Sequence, residues 1–184
     1  MDVSSSRLAS KRAAYVAATA DRALRDDTAH GSYHSETLSF EAFEAFAHAV
    51  WTIEHRQEPL QVTRVEDLPP SVQERFFEVA GAAARWVTPP EPRPRAFVGT
   101  SGSVAFLDVK DEALVRLIAL HEIAHLFVDT EDAALGHMRE WAVAYSQLIE
   151  RHLSPELSAL WRAHFHWWWQ KANEHIARDP NWLA

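Results

Sequence analysis

The sequence predicts an α+β fold in which helices pack around a small antiparallel sheet, with one strongly apolar helix at the centre. Three observations carry this. Apolar residues recur at steps of three and four over several long segments, the signature of amphipathic helices. Two short β-rich runs, Arg95 to Gly99 and Ser103 to Val109, flank Thr100-Ser101-Gly102 and read as a hairpin. The run Ala113 to Val128 is apolar on nearly every side, which suits a helix enclosed by its neighbours.

In chain order, residues 7 to 27 form an Ala-rich helix with Leu8, Tyr15, Val16 and Leu24 as its larger apolar members. The polar segment His30 to Thr37, with Gly31, is a loop. Ser39 is placed as the N-cap of a helix carrying Phe40, Phe43, Phe46, Val50 and Ile53 and ending near Glu58-Pro59. Leu60 to Val65 alternates as a strand does, and Pro69-Pro70-Ser71 opens a further helix that runs to Trp86. The run Pro89 to Pro94 excludes helix and central strand and forms a stiff connector. After the hairpin and central helix comes an acidic loop, Asp129 to Gly136, then a helix over about His137 to His152. Ser154 and Pro155 supply the N-cap and first-turn proline of a last helix that stops at Asp179-Pro180. We expect one domain over residues 1–184, with a helical N-terminal part (1–60) and a core-bearing part (70–178).

Of the 184 residues, 47% are apolar and 24% charged, with five Gly and nine Pro, so disorder and fibrous repeats are excluded. A chain of this length buries roughly 70% of its unfolded surface and needs neither disulfide nor structural metal to hold together. Eleven His are present and no Cys, which removes thiolate nucleophiles, Cys-based zinc fingers and iron–sulfur clusters. Any transition metal must be held by imidazole and carboxylate. Acidic residues outnumber basic ones 26 to 18, a net charge of −8, and no basic stripe offers a nucleic-acid surface. The apolar stretch Ala13 to Ala20 behind Arg7, Lys11 and Arg12 is short and closed by Asp21 and Arg22, so it reads as helix and not as a signal peptide. No membrane partner is expected, and the expected compartment is the cytoplasm.

Inside the central helix lies His121-Glu122-Ile123-Ala124-His125. Two His four residues apart project from one helix face one turn apart, so both imidazoles can reach a single ion, with Glu122 beside a metal-bound water. Zinc held by neutral ligands acidifies that water and polarises a carbonyl, and the carboxylate moves the proton to the leaving group. By chance alone, about one such His-rich sequence in twenty would carry the pattern, so its mid-helix setting among Leu120, Ile123, Ala124 and Leu126 adds weight. A catalytic site requires a third protein ligand. His137, which follows Gly136 and opens the next helix, is the candidate; Glu140, three residues on, is the alternative ligand or an acceptor behind a ligand imidazole. Asp129, Glu131 and Asp132 read as a solvated acidic loop. A three-His site would lose zinc as pH drops through about 6 to 7.

The stretch His121 to Val128, a polar loop, and then Gly136-His137-Met138-Arg139-Glu140-Trp141 resembles the SprT-type zinc metallopeptidases, whose pattern is HExxH, a loop and a GHGPEF-like helix start. It is similar also to small actinobacterial zinc metallohydrolases of that shape, which share counterparts of Arg12 to Tyr15, Trp86-Val87, Ala96 to Asp108 and Pro155-Glu156. The likeness is best over residues 70 to 165, and Met138-Arg139 departs from the family's Gly-Pro. It implies a zincin-like fold, a Zn2+ cofactor bound by His121, His125 and His137, and Glu122 as general base in a hydrolase cleaving a peptide bond of a protein or peptide substrate, or a smaller amide. A more distant likeness to phage-repressor-cleaving metallopeptidases would promote Glu140 to third ligand.

In such sites an edge strand pairs with extended substrate, and Ser103 to Val109 is the candidate, an ordinary core strand being the alternative. Trp167-Trp168-Trp169, with Trp161 and Phe165, covers all sides of one helix turn and reads as core or helix docking ahead of a surface for a protein partner. His164 and His166 lie on different helix faces, His30 and His34 flank Gly31, and His48, His55, His152 and His175 read as surface or locally bonded residues. The second functional class consistent with these features is a catalytically silent zinc-binding regulatory module that docks partners through its Trp-rich last helix.

Overall fold

A computed structural model describes residues 3–28, 36–54, 56–73, 96–101, 103–128 and 139–179. Among them are five α-helices and three strands: α1 (Val3–Thr28), α2 (Phe40–Ile53), β1 (Leu60–Arg64), β2 (Ala96–Ser101), β3 (Val104–Val109), α3 (Arg116–Leu126), α4 (Arg139–His152) and α5 (Pro155–Arg178). Helical backbone also begins at Pro70, but the rest of the helix expected to reach Trp86 and the proline connector after it lie outside the described residues.

Side-chain chemistry sets the helix starts. Ser39 caps α2, its hydroxyl accepting from Ala42 N at 3.2 Å, and Ser154 caps α5 by accepting from Leu157 N at 3.0 Å, with Pro155 in the first turn. Helix α2 ends at Ile53, short of the expected Glu58-Pro59. The reason is Trp51, whose indole donates to the Glu58 carbonyl at 2.6 Å and folds the chain back across the helix end. The central helix starts at Arg116, later than Ala113, because Asp111–Ala113 closes as a 3-10 turn and Val115 is extended. That break aims the Leu114 carbonyl at Leu38 N, 2.7 Å away, and ties the segment before α2 to the centre of the fold.

The sheet order is β1-β3-β2. The hairpin forms, β2 antiparallel to β3, but Thr100 and Ser101, expected in the turn, pair within β2 against Ala105 and Val104; β1 pairs with β3 in parallel, so the sheet is mixed and not antiparallel. The hairpin reverses the chain between β2 and β3, and β1 takes the far side of β3 in the same direction. The same topology corrects the substrate-strand assignment: β3 (Ser103 to Val109 in the sequence reading) is bonded on both sides and offers no edge. Gly99 of β2 is there for close approach, since a Cβ would lie 2.6 Å from the ring of Phe106 on the neighbouring strand.

One face of the sheet, with Leu60, Val62, Ala96, Ala105, Leu107 and Val109, is buried. Helix α3 packs against β2 and β3, and α2 against β1. Leu117, Ile118, Ala119, Leu120, Ile123 and Ala124 are all buried, so α3 is enclosed as its sequence requires. Helix α4 lies on α3, α5 on α4, and α1 runs along α5. The small residues Ala13, Ala17 and Ala20 line the buried face of α1 and permit its close approach. Among the described residues no helix is long and apolar enough to cross a membrane.

Candidate functional site

The two motif histidines sit side by side on consecutive turns of α3, their ring centroids 5.3 Å apart. Both are partly buried, as is Glu122 between them. Helix α4 forms the wall behind them through two aromatics one turn apart. Trp141 stands 4.7 Å from the His121 ring and stacks on His125 at 5.4 Å, and Tyr145 meets His121 edge-on at 5.4 Å. Both donate to the backbone of α3: Trp141 Nε1 to the His121 carbonyl at 3.3 Å, and the Tyr145 hydroxyl to the Leu117 carbonyl at 3.3 Å. These bonds fix the rotation of α4 against the motif, so the sequence register of Trp141 has a direct structural use.

Behind His121 is a residue that sequence reasoning missed. Asp21, on α1 and only 7% exposed, places Oδ2 2.7 Å from His121 Nδ1, while its Oδ1 accepts from Trp161 Nε1 on α5 at 2.8 Å. Asp21 was legible in retrospect, because it lies four residues after Ala17 and three before Leu24, within the apolar stripe of α1. A carboxylate on such a stripe requires polar partners from other elements.

Burial pushes the Glu122 carboxyl above the ordinary range; the His121 ring opposes this and the Asp21 charge adds to it. A carboxylate so placed is a better proton acceptor near neutral pH than one in water.

His121, Glu122 and His125 are thus brought together. His137 lies outside the described residues, as do Asp129, Glu131 and Asp132. Glu140 is exposed and lines an open groove of about 460 Å³ between Phe127 and Val128 at the end of α3 and Arg139 and Val143 of α4. Among the described residues no group of three or more His, Asp or Glu side chains is gathered closely enough to hold an ion. Within that set His121 and His125 lie side by side on one helix face, as two donors to a single ion could.

The Trp-rich helix is largely spent on the fold. Trp161 is 1% exposed, Phe165 stacks between Trp161 and Trp169, Trp168 meets Tyr15 edge-on, and Arg12 lies 4.3 Å over Trp169; Trp167 is 48% exposed. His152, expected at the surface or bonded locally, is instead buried against a distant residue, its Nε2 2.8 Å from Glu54 Oε1 with the two side chains 6% and 8% exposed, while His166 contacts Gln170 one turn on.

Comparison of the chain with models of protein families, with curated proteins and with solved structures yields no match.

Proposed function

We propose that the protein is a zinc-dependent hydrolase of amide bonds, most directly a peptidase, with a zincin-like arrangement of its motif helix. The observation that carries this reading is the placement of the His121 and His125 rings, 5.3 Å apart on one helix face. Two imidazoles bound to one tetrahedral zinc at about 2.0–2.1 Å hold their centroids about 5 Å apart, so the pair suits two corners of such a site. The donor set is also apt, since imidazole in a chain without Cys suits zinc.

A bound zinc ion would supply Lewis acidity toward the scissile carbonyl and toward water. His121 and His125 would hold the ion, and the third donor would be His137 by the family resemblance or Glu140 as the alternative. Glu122, raised in basicity by burial, takes the proton of the attacking water and passes it to the leaving nitrogen. Trp141 and Tyr145 close the rear of the site to solvent, which strengthens each charge interaction within it. β2 is an outer strand of the described sheet beside α3, and it replaces β3 as the strand on which extended substrate pairs.

The alternative, a silent zinc module docking partners through α5, has less support, because Trp161, Trp168 and Trp169 are engaged within the chain. The test is hydrolysis of an unstructured protein such as casein by the zinc-loaded chain and by Glu122→Gln. The variant should keep its zinc and lose about a hundred- to ten-thousand-fold in rate. Cleavage by the variant at the rate of the parent chain would remove Glu122 from the mechanism.

A further inference from the structure

Two donors converge on one buried carboxylate. Indole N–H can only donate, so Asp21 Oδ1, 2.8 Å from Trp161 Nε1, is committed to α5. The remaining oxygen faces His121 Nδ1 at 2.7 Å. An ionised carboxylate has acceptors and no donor, so the imidazole nitrogen facing it carries the proton, and the lone pair of the neutral ring is on Nε2. We propose that Asp21 is a positioning residue for the metal site, selecting the His121 tautomer whose Nε2 binds the ion, and that zinc affinity is thereby tied to the docking of α1 on α5. The inference rests on the zinc reading above and deepens it.

Only a carboxylate satisfies both donors. Asn at position 21 has a single acceptor oxygen. If that oxygen stays with Trp161, the amide NH2 faces His121 Nδ1 and pins the ring proton on Nε2, the tautomer that cannot bind metal. If it turns to His121, the Trp161 N–H is buried without an acceptor. The coupling to docking follows from the three helices involved, since Asp21 belongs to α1, Trp161 to α5 and His121 to α3. Helix α1 is held on α5 by Arg12 Nη1 donating to Asn173 Oδ1 at 2.8 Å, by Arg12 over Trp169, and by Tyr15 against Trp168. Loosening that contact withdraws the carboxylate from His121, and by reciprocity a metal on His121 holds α1 in place.

The experiment is zinc affinity, measured by competition with a chromophoric chelator, for the full chain, Asp21→Asn, Trp161→Phe and the double variant. Asp21→Asn should weaken zinc about 10- to 100-fold. Trp161→Phe should bind nearly as the parent does. The double variant should recover most of the loss, because the amide oxygen, released from Trp161, turns to His121. A merely structural role gives the opposite order, with the double variant weaker than either single one, and that order overturns the proposal. So does parent-like affinity in Asp21→Asn. The unsubstituted chain gives a second readout if a variant fails to fold: zinc should slow amide hydrogen exchange around Asp21 in α1 by about tenfold or more, and unchanged exchange there overturns the coupling. A parent chain that binds no zinc overturns the functional reading and this inference with it, whereas parent binding with an indifferent Asp21→Asn overturns the inference alone.

Discussion

Trp141 donates from Nε1 to the carbonyl oxygen of His121, and its indole stands against both imidazoles of the motif. One side chain thus joins the stability of the α3–α4 contact to the geometry of the candidate site. Trp141 is 1% exposed, so Trp141→Ala should cost about 3–5 kcal/mol through the cavity it leaves. Trp141→Phe keeps most of the packing and loses the hydrogen bond, and should cost about half as much. Urea unfolding followed by circular dichroism measures both, and a cost below about 1 kcal/mol for Trp141→Ala would contradict the role given to this contact.

Asp108 on β3 gives a pH-dependent prediction. Burial pushes its carboxyl up to about 6. A carboxyl raised above its unfolded value, about 3.9, binds its proton more tightly when folded. Its favourable contribution is therefore fully present below about pH 4 and is lost as pH rises through about 6. Asp108→Asn removes the ionisation, so the variant should match the parent near pH 4 and be more stable at pH 8. The gain should be on the order of 1 kcal/mol, because the carboxylate is only partly buried and solvent screens it. Thermal melts at the two pH values decide it, and a variant that loses ground to the parent at pH 8 would contradict the sign.

Much of the fold was legible because its signals are local. Ser39, Ser154 and Pro155 mark helix starts by side-chain chemistry within three residues, and the hairpin is carried by two runs and the turn between them. The parallel pairing of β1 with β3 was not legible, since strands some forty residues apart share no local signal of direction. The break at Leu114 and Val115 is likewise set by a distant partner, Leu38. In the candidate site the motif named His121, Glu122 and His125, whose spacing alone puts them on adjoining turns. Asp21 escaped because its contact with His121 spans a hundred residues of sequence, and only its place on the apolar face of α1 pointed to it.

A second buried pair lies away from the motif. Glu54, just past α2, accepts from Arg151 at 2.6 Å and sits 2.8 Å from His152 Nε2, with the Glu54 and His152 side chains 8% and 6% exposed. Together they hold the end of α2 to the end of α4. Glu54→Ala leaves the His152 ring buried without its acceptor and should cost about 2–4 kcal/mol. Arg151 is half exposed, and Arg151→Ala should cost less than about 1 kcal/mol. Chemical denaturation of the two variants separates the contributions; equal costs would show that the exposed arginine, and not the buried histidine, makes the tie.

The most direct measurement for the central claim is the zinc content of the purified chain after reconstitution and removal of excess metal, compared with His121→Ala and His125→Ala. We expect one zinc ion per parent chain and its loss from both variants, with each variant still folded by circular dichroism. A parent chain that retains no zinc, or a His125→Ala variant that retains it in full, would contradict the assignment of this helix face as the metal site.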